Sequence, residues 1–229
     1  MKKVLVLLAA TLLSLAIASA NPISCSTPPS VYYGQSSPTF TCGTLTFSNF
    51  DLVSATPNEG GPGGNVGRVD IIALSYDSVT GEVDMTLNPN LLAAQDDALL
   101  FEVTGGVTQL DLAVGGSNAT VTERACSSPI PTAGNAAFLC PSGTKLGQIS
   151  DFSNDPAAPV FSKTFPVTSP IYIYKDIGTG NGNPVGSGHL SEFTESFEVG
   201  SRTPEPISLL LLGSGLLGLG LLRRRVHKG

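Results

Sequence analysis

Leu99-Leu100-Phe101-Glu102-Val103-Thr104-Gly105-Gly106-Val107-Thr108-Gln109-Leu110-Asp111-Leu112-Ala113-Val114 carries the period on which the fold turns. Leu99, Phe101 and Val103 alternate against Glu102 and Thr104. Leu110, Leu112 and Val114 alternate against Gln109, Asp111 and Ala113. Successive side chains on a strand point to opposite faces, so apolar residues at every second position mark a half-buried strand. Gly105-Gly106 between the two runs is hairpin and loop chemistry, because glycine adopts the positive φ that tight connections need.

The same period extends in both directions. Val83, Met85 and Leu87 alternate against Glu82, Asp84 and Thr86, and residues 69–76 form a β-branched and apolar run. Leu45, Phe47 and Asn49 alternate with Thr46 and Ser48 before Phe50. Residues 119–123, 145–149, 160–167, 171–177 and 190–199 complete a set of about ten strand segments. Thr80-Gly81, Gly115-Gly116-Ser117-Asn118 and Pro156 punctuate them, and no amphipathic helix of three turns interrupts the series. Many short strands separated by Gly/Pro turns predict an all-β fold, an antiparallel β-sandwich, with a barrel as the alternative. Residues 21–203 suffice for one ordinary domain or two small ones.

Charge is unevenly distributed. Arg68, Arg124, Lys145, Lys163, Lys175 and Arg202 are the cations of residues 21–203, which hold all but one of the 18 carboxylates. So acidic a body repels nucleic acid and leaves cations and neutral polymers as partners. Cys25, Cys42, Cys126 and Cys140 are an even number, as an exported chain favours. Proximity in sequence and Pro/Ser/Gly-rich surroundings favour the pairs Cys25–Cys42 and Cys126–Cys140, each worth roughly 3 kcal/mol through loop closure. Zinc competes poorly, for there is no C-x-x-C and His189 is the body's one histidine.

Both ends read as targeting segments. Lys2 and Lys3, the apolar stretch 4–17 and Ala18-Ser19-Ala20 have the order of a secretory signal peptide spanning 1–20. Cleavage after Ala20 by signal peptidase leaves Asn21 as the first mature residue; an uncleaved anchor is the alternative. At the other end, Pro204-Glu205-Pro206 precedes the apolar run 207–222 and then Arg223-Arg224-Arg225. As a helix the run is about 24 Å long, slightly short of a ~30 Å hydrocarbon core, and its glycines weaken it further. That combination predicts a marginal transmembrane helix; a buried core helix is the alternative. The arginines belong on the cytoplasmic side, which places the body outside, the side to which the signal peptide also sends it. Gly213-Ser214-Gly215-Leu216-Leu217-Gly218 spells G-x-G-x-x-G, but it lacks the preceding strand and later acidic residue of a dinucleotide site.

The order of motif, apolar stretch and basic cluster over 204–229 resembles the PEP-CTERM sorting signal of exported bacterial proteins. The resemblance implies recognition and processing by a membrane-embedded exosortase-type enzyme near Pro204-Glu205-Pro206. It also implies association with exopolysaccharide-producing, biofilm-forming cells. Phe47-Ser48-Asn49-Phe50, Lys175-Asp176-Ile177 and the stretch 191–198 are similar to strings in some PEP-CTERM ectodomains, a group that brings no assigned activity.

Catalytic groups are sparse. A serine hydrolase needs nucleophile, base and acid, and the body offers only His189 as base and no G-x-S-x-G. A glycosidase needs only two carboxylates about 5–10 Å apart, which so many acids cannot fail to permit. Tyr172 and Tyr174 share one face of a strand whose other face carries Ile171 and Ile173. If the isoleucines face the core, the tyrosines form an exposed pair, a candidate sugar-binding face. The sequence requires no cofactor. Calcium is the ion to test, with Asp176, Asn181 and Asn183 as oxygen ligands around a Gly-rich loop and Asp96-Asp97 as a second carboxylate pair. Asn118-Ala119-Thr120 matches the glycosylation sequon, which in a bacterial chain arises readily by chance. The expectation is a non-enzymatic cell-surface or extracellular-matrix protein. A carbohydrate-binding module, calcium-dependent or not, is the alternative, and a glycoside hydrolase ranks last.

Overall fold

The computed structural model describes residues 23–200, apart from positions 27, 29, 33–37, 55–67, 90, 93–94, 134–136, 154–160, 181–184 and 186. The segments 1–20 and 204–229, with the cleavage residues Ala18, Ala20 and Asn21 and the sorting residues Pro204, Glu205, Pro206, Arg223, Arg224 and Arg225, lie outside the described residues. Among the described residues no helix is long and apolar enough to cross a membrane.

Among the described residues thirteen antiparallel strands form two sheets. They are β1 (Ile23–Ser24), β2 (Val31–Tyr32), β3 (Phe40–Cys42), β4 (Leu45–Ser54), β5 (Arg68–Tyr76), β6 (Glu82–Asn88), β7 (Asp96–Thr104), β8 (Val107–Val114), β9 (Ala119–Cys126), β10 (Lys145–Phe152), β11 (Phe161–Thr168), β12 (Ile171–Thr179) and β13 (Phe193–Val199). The first sheet runs β1-β5-β6-β13-β8-β11 with β2 also on β5, and the second runs β10-β9-β12-β7-β4-β3. The fold is a β-sandwich. Strands β4 to β13 occupy the ten alternating segments; β1, β2 and β3 are too short for a period of two to show.

Connectivity departs from a hairpin reading. Among the described residues only β3–β4, β5–β6 and β9–β10 are sequence neighbours that pair. Gly105-Gly106 does not close a hairpin: β7 belongs to the second sheet and β8 to the first. The two glycines, at φ 128° and 85°, carry the chain around the sandwich edge instead. Gly115-Gly116-Ser117-Asn118 carries it back, from β8 to β9.

The core fills the gap between the sheets. Ile171, Ile173 and Ile177 of β12 and Leu99, Phe101 and Val103 of β7 meet Val83, Met85 and Leu87 of β6 and Phe193 and Phe197 of β13. Phe47, Phe50, Phe101 and Phe197 form a ring network with centroid separations of 4.9 Å (Phe50–Phe101) and 5.2 Å (Phe47–Phe197), and Phe40 stacks on two of them. Each buried ring contributes roughly 1.5–3 kcal/mol of apolar burial. A bulge in β4 makes this possible. The register shifts between Ser48 and Asp51, Asn49 sits at φ 54°, and the parity changes so that Phe47, Phe50 and Leu52 all point inward. Asn49, expected on the face of Phe47, is exposed, since the extra residue of a bulge swings out of the ladder and asparagine tolerates the left-handed conformation.

A second apolar layer lies on the outer face of the second sheet. Ala98, Leu100 and Tyr174 are covered there by Ile130 and Phe138, from the segment between β9 and β10. Residues 96–101 of β7 are therefore buried on both parities.

Candidate functional site

The segment that covers the outer face is tied at its base by the Cys126–Cys140 disulfide, and the Cys25–Cys42 disulfide joins the N-terminal segment to β3. These are the two pairings that sequence proximity favours.

The disulfide-held segment changes the reading of the tyrosines. Ile171 and Ile173 do face the core, but Tyr174 is fully buried and does not join Tyr172 on an exposed face. Phe138 stacks on Tyr174 with ring centroids 5.2 Å apart, and the guanidinium of Arg124 lies 5.2 Å from the same ring. An Arg124 Nη1–H donates to the Phe138 carbonyl at 2.8 Å, which fastens the cover to β9. Strand parity is blind to a loop folding back over the second face.

Tyr172 stays at the rim of this cover and lines a cleft of about 300 Å³. The floor is the outer face of β4, β7 and β12, with Asn49, Asp51 and Glu102; Pro129, Ile130 and Thr132 form the wall. Tyr172 and Ser48 flank Glu102 as its direct partners on either side. The β4 bulge brings Asn49 to the same place, where its Nδ2–H donates to Glu102 Oε2 at 2.8 Å. Burial, and then the negative charge of Glu102, push the Tyr172 phenol above its usual range, so it stays a neutral donor. The cleft thus presents an aromatic ring, an amide and two carboxylates, with no cation among the described residues that line it. It suits hydroxyl or ammonium donors and disfavours anions. Asn49 and Asp51 carried no sequence signal as site residues; only the bulge places them.

Of the calcium candidates, only the carboxylates fall among the described residues. Asp96 and Asp97 are adjacent on β7, so their side chains leave on opposite faces, and both are buried. Asp176 is on the outer face of β12, whereas Asn181 and Asn183 lie outside the described residues. Among the described residues no group of three or more His, Cys, Asp or Glu side chains could hold a metal ion. His189 is pinned by reciprocal backbone hydrogen bonds with Ser117, each 2.8 Å.

A third constellation lies between the sheets. Lys175 of β12 stands directly opposite Glu123 of β9, and Glu195 of β13 reaches them from the other sheet. Lys175 Nζ donates to Glu123 Oε2 at 2.9 Å and lies 2.8 Å from Glu195 Oε2; all three side chains are fully buried. The ring of Phe193 is 5.2 Å from the ammonium. Burial, then the charge of Glu123, raise the Glu195 carboxyl well above the ordinary range. The Lys175 ammonium loses stability by burial, but the two carboxylates outweigh that and raise it. The alternation Ile171, Ile173, Lys175, Ile177 places this lysine inward, and Phe193, Glu195, Phe197 does the same for the glutamate. That was the available signal.

No curated protein matches the chain. Residues 202–225 match the family described as the PEP-CTERM protein-sorting motif, so this chain is an exported protein carrying the C-terminal signal of exosortase-type sorting.

Proposed function

We propose that the sandwich acts at the cell surface or in the extracellular matrix as a non-catalytic ectodomain, delivered by its signal peptide and held or released through its C-terminal signal. The observation that carries this is the sorting motif at 202–225 joined to an acidic sandwich stapled by two disulfides. Both features suit life outside a reducing cytoplasm. Mass spectrometry of mature protein tests it. Loss of residues 1–20 and processing near Pro204-Glu205-Pro206 are expected. Fully mature material that retains its C-terminus through Arg225 counts against the processing step.

The Tyr172 cleft favours a second reading, contact with neutral or amine-bearing exopolysaccharide. A ring flanked by Asn49, Asp51, Glu102 and Thr132 offers an apolar platform and hydrogen-bond acceptors, the usual composition of a sugar site. Tyr172→Ala is expected to abolish retention on a polysaccharide affinity gel; unchanged retention rejects the reading. Glycoside hydrolysis ranks behind both, since Asn49 already occupies an oxygen of Glu102.

A further inference from the structure

The Lys175–Glu123–Glu195 cluster is built like a reaction centre rather than an ordinary ion pair. One amine and two carboxyls converge in an apolar chamber, with Nζ within 2.9 Å of an oxygen from each acid. Lys175 Nζ donates to Glu123 Oε2 and is ion-paired with Glu195 Oε2 at 2.8 Å, with both carboxyl groups shut off from solvent. Two ionised carboxylates beside one ammonium leave a net negative charge that the interior cannot solvate, so the cluster holds one proton more, on Glu195. Passing the Lys175 proton along its hydrogen bond to Glu123 gives a form with three neutral groups; the two carboxylates keep the ammonium the prevailing state, and this neutral form is the reactive one. In that form a free amine faces an un-ionised carboxylic acid with bulk water excluded. Fixed proximity of this kind is equivalent to effective concentrations on the order of 10⁵–10⁸ M.

We propose that Lys175 and Glu195 condense to an intramolecular isopeptide bond that joins β12 of one sheet to β13 of the other, with Glu123 as the proton shuttle. The Nζ lone pair attacks Cδ of Glu195, and the carbonyl π pair moves onto its oxygen. Glu123, protonated in this form, gives its proton to the departing hydroxyl, which leaves as water, and the resulting carboxylate takes the proton from the nitrogen. One N–H and one C–OH bond break; a C–N bond and one water form. No electrons are transferred and no co-reactant is needed. The link lies on the last described strand before the sorting signal, Phe193–Val199, so a pull applied through the C-terminus reaches a covalent bond at Glu195 once the last four residues of that strand have peeled away.

Tryptic mapping of the exported full-length protein decides the matter. Acylated Lys175 resists trypsin, so the expected product is a continuous peptide 164–202, lighter than its sequence by one water, with fragment ions placing the link between Lys175 and Glu195. Glu123→Gln keeps both partners and is expected to restore cleavage after Lys175 with no water lost. Normal cleavage after Lys175 in the wild-type protein overturns the proposal, and this reading needs no variant to fold. A link from Lys175 to Glu123, seen as a peptide joined to 69–124, overturns the assigned roles.

Discussion

Tyr174 and Phe138 stack with 21° between their ring planes, and that contact converts one half of a strand face into a second core. Tyr172, two residues earlier on the same face, stays at the edge of the cover and lines the cleft. The pair that looks equivalent along the strand is therefore divided between stability and binding.

The division is measurable. Phe138→Ala and Tyr174→Ala are each expected to cost about 3 kcal/mol, the usual loss when a buried ring is truncated. Tyr172→Ala is expected to cost less than about 1 kcal/mol. Urea denaturation followed by circular dichroism separates them; equal losses at positions 172 and 174 are incompatible with the cover.

Removing the tie has a related effect. Cys126→Ser with Cys140→Ser opens a loop with a sequence separation of 14 residues. A loss of about 3 kcal/mol is expected from loop closure. Part of it should vanish when Phe138 is already alanine, because both changes release the same segment. Strict additivity in the double-mutant cycle would count against a shared role.

The corner at Gly105 admits only glycine. Its φ is 128°, and a Cβ there would lie 2.5 Å from the Thr44 carbonyl oxygen and 2.7 Å from Leu45 Cδ2. Gly105→Ala is expected to lower stability by roughly 1–3 kcal/mol through backbone strain. Gly143 also has positive φ, but nothing lies near its Cβ position, so Gly143→Ala carries the strain without the clash and should cost less. A thermal midpoint lower for Gly143→Ala than for Gly105→Ala would contradict this.

Acid should stabilise one face. Glu198 and Glu82 stand directly opposite on β13 and β6, with Asp84 and Asp111 nearby. Partial burial raises both glutamates, followed by the charge of Asp84 for Glu82 and of Asp111 for Glu198. A carboxyl raised on folding binds its proton more tightly in the folded state. Its stabilising contribution is present below the unfolded value and is lost as pH rises through the folded one. Lowering the pH from about 7.5 to about 5 is thus expected to raise the thermal midpoint. Glu198→Gln should raise the midpoint at neutral pH and flatten that dependence. Added salt should act in the same direction by screening the repulsion. A Glu198→Gln variant with unchanged pH dependence would discount the pair.

Much of the architecture is legible in local pattern. The ten alternating segments became β4 to β13, because a half-buried strand must alternate. The tail could be read from the order of its motif, apolar run and arginines. Proximity along the chain was enough to pair the cysteines. The cleft was not legible, since Asn49 and Asp51 reach it only through a bulge that looks in sequence like one more alternating residue. Lys175 and Glu195 could have been recognised as inward-facing charges among isoleucines and phenylalanines, but nothing local shows that they meet.

What the chain by itself determined is strand identity, facing and destination, each a property of a few consecutive residues. Only the tertiary structure decided that Gly105-Gly106 changes sheets, that Tyr174 is covered while Tyr172 is not, and that Lys175 meets Glu123, 52 residues away. A period of two records which side of a strand is apolar. It carries no information about which distant strand or loop supplies the other half of the contact.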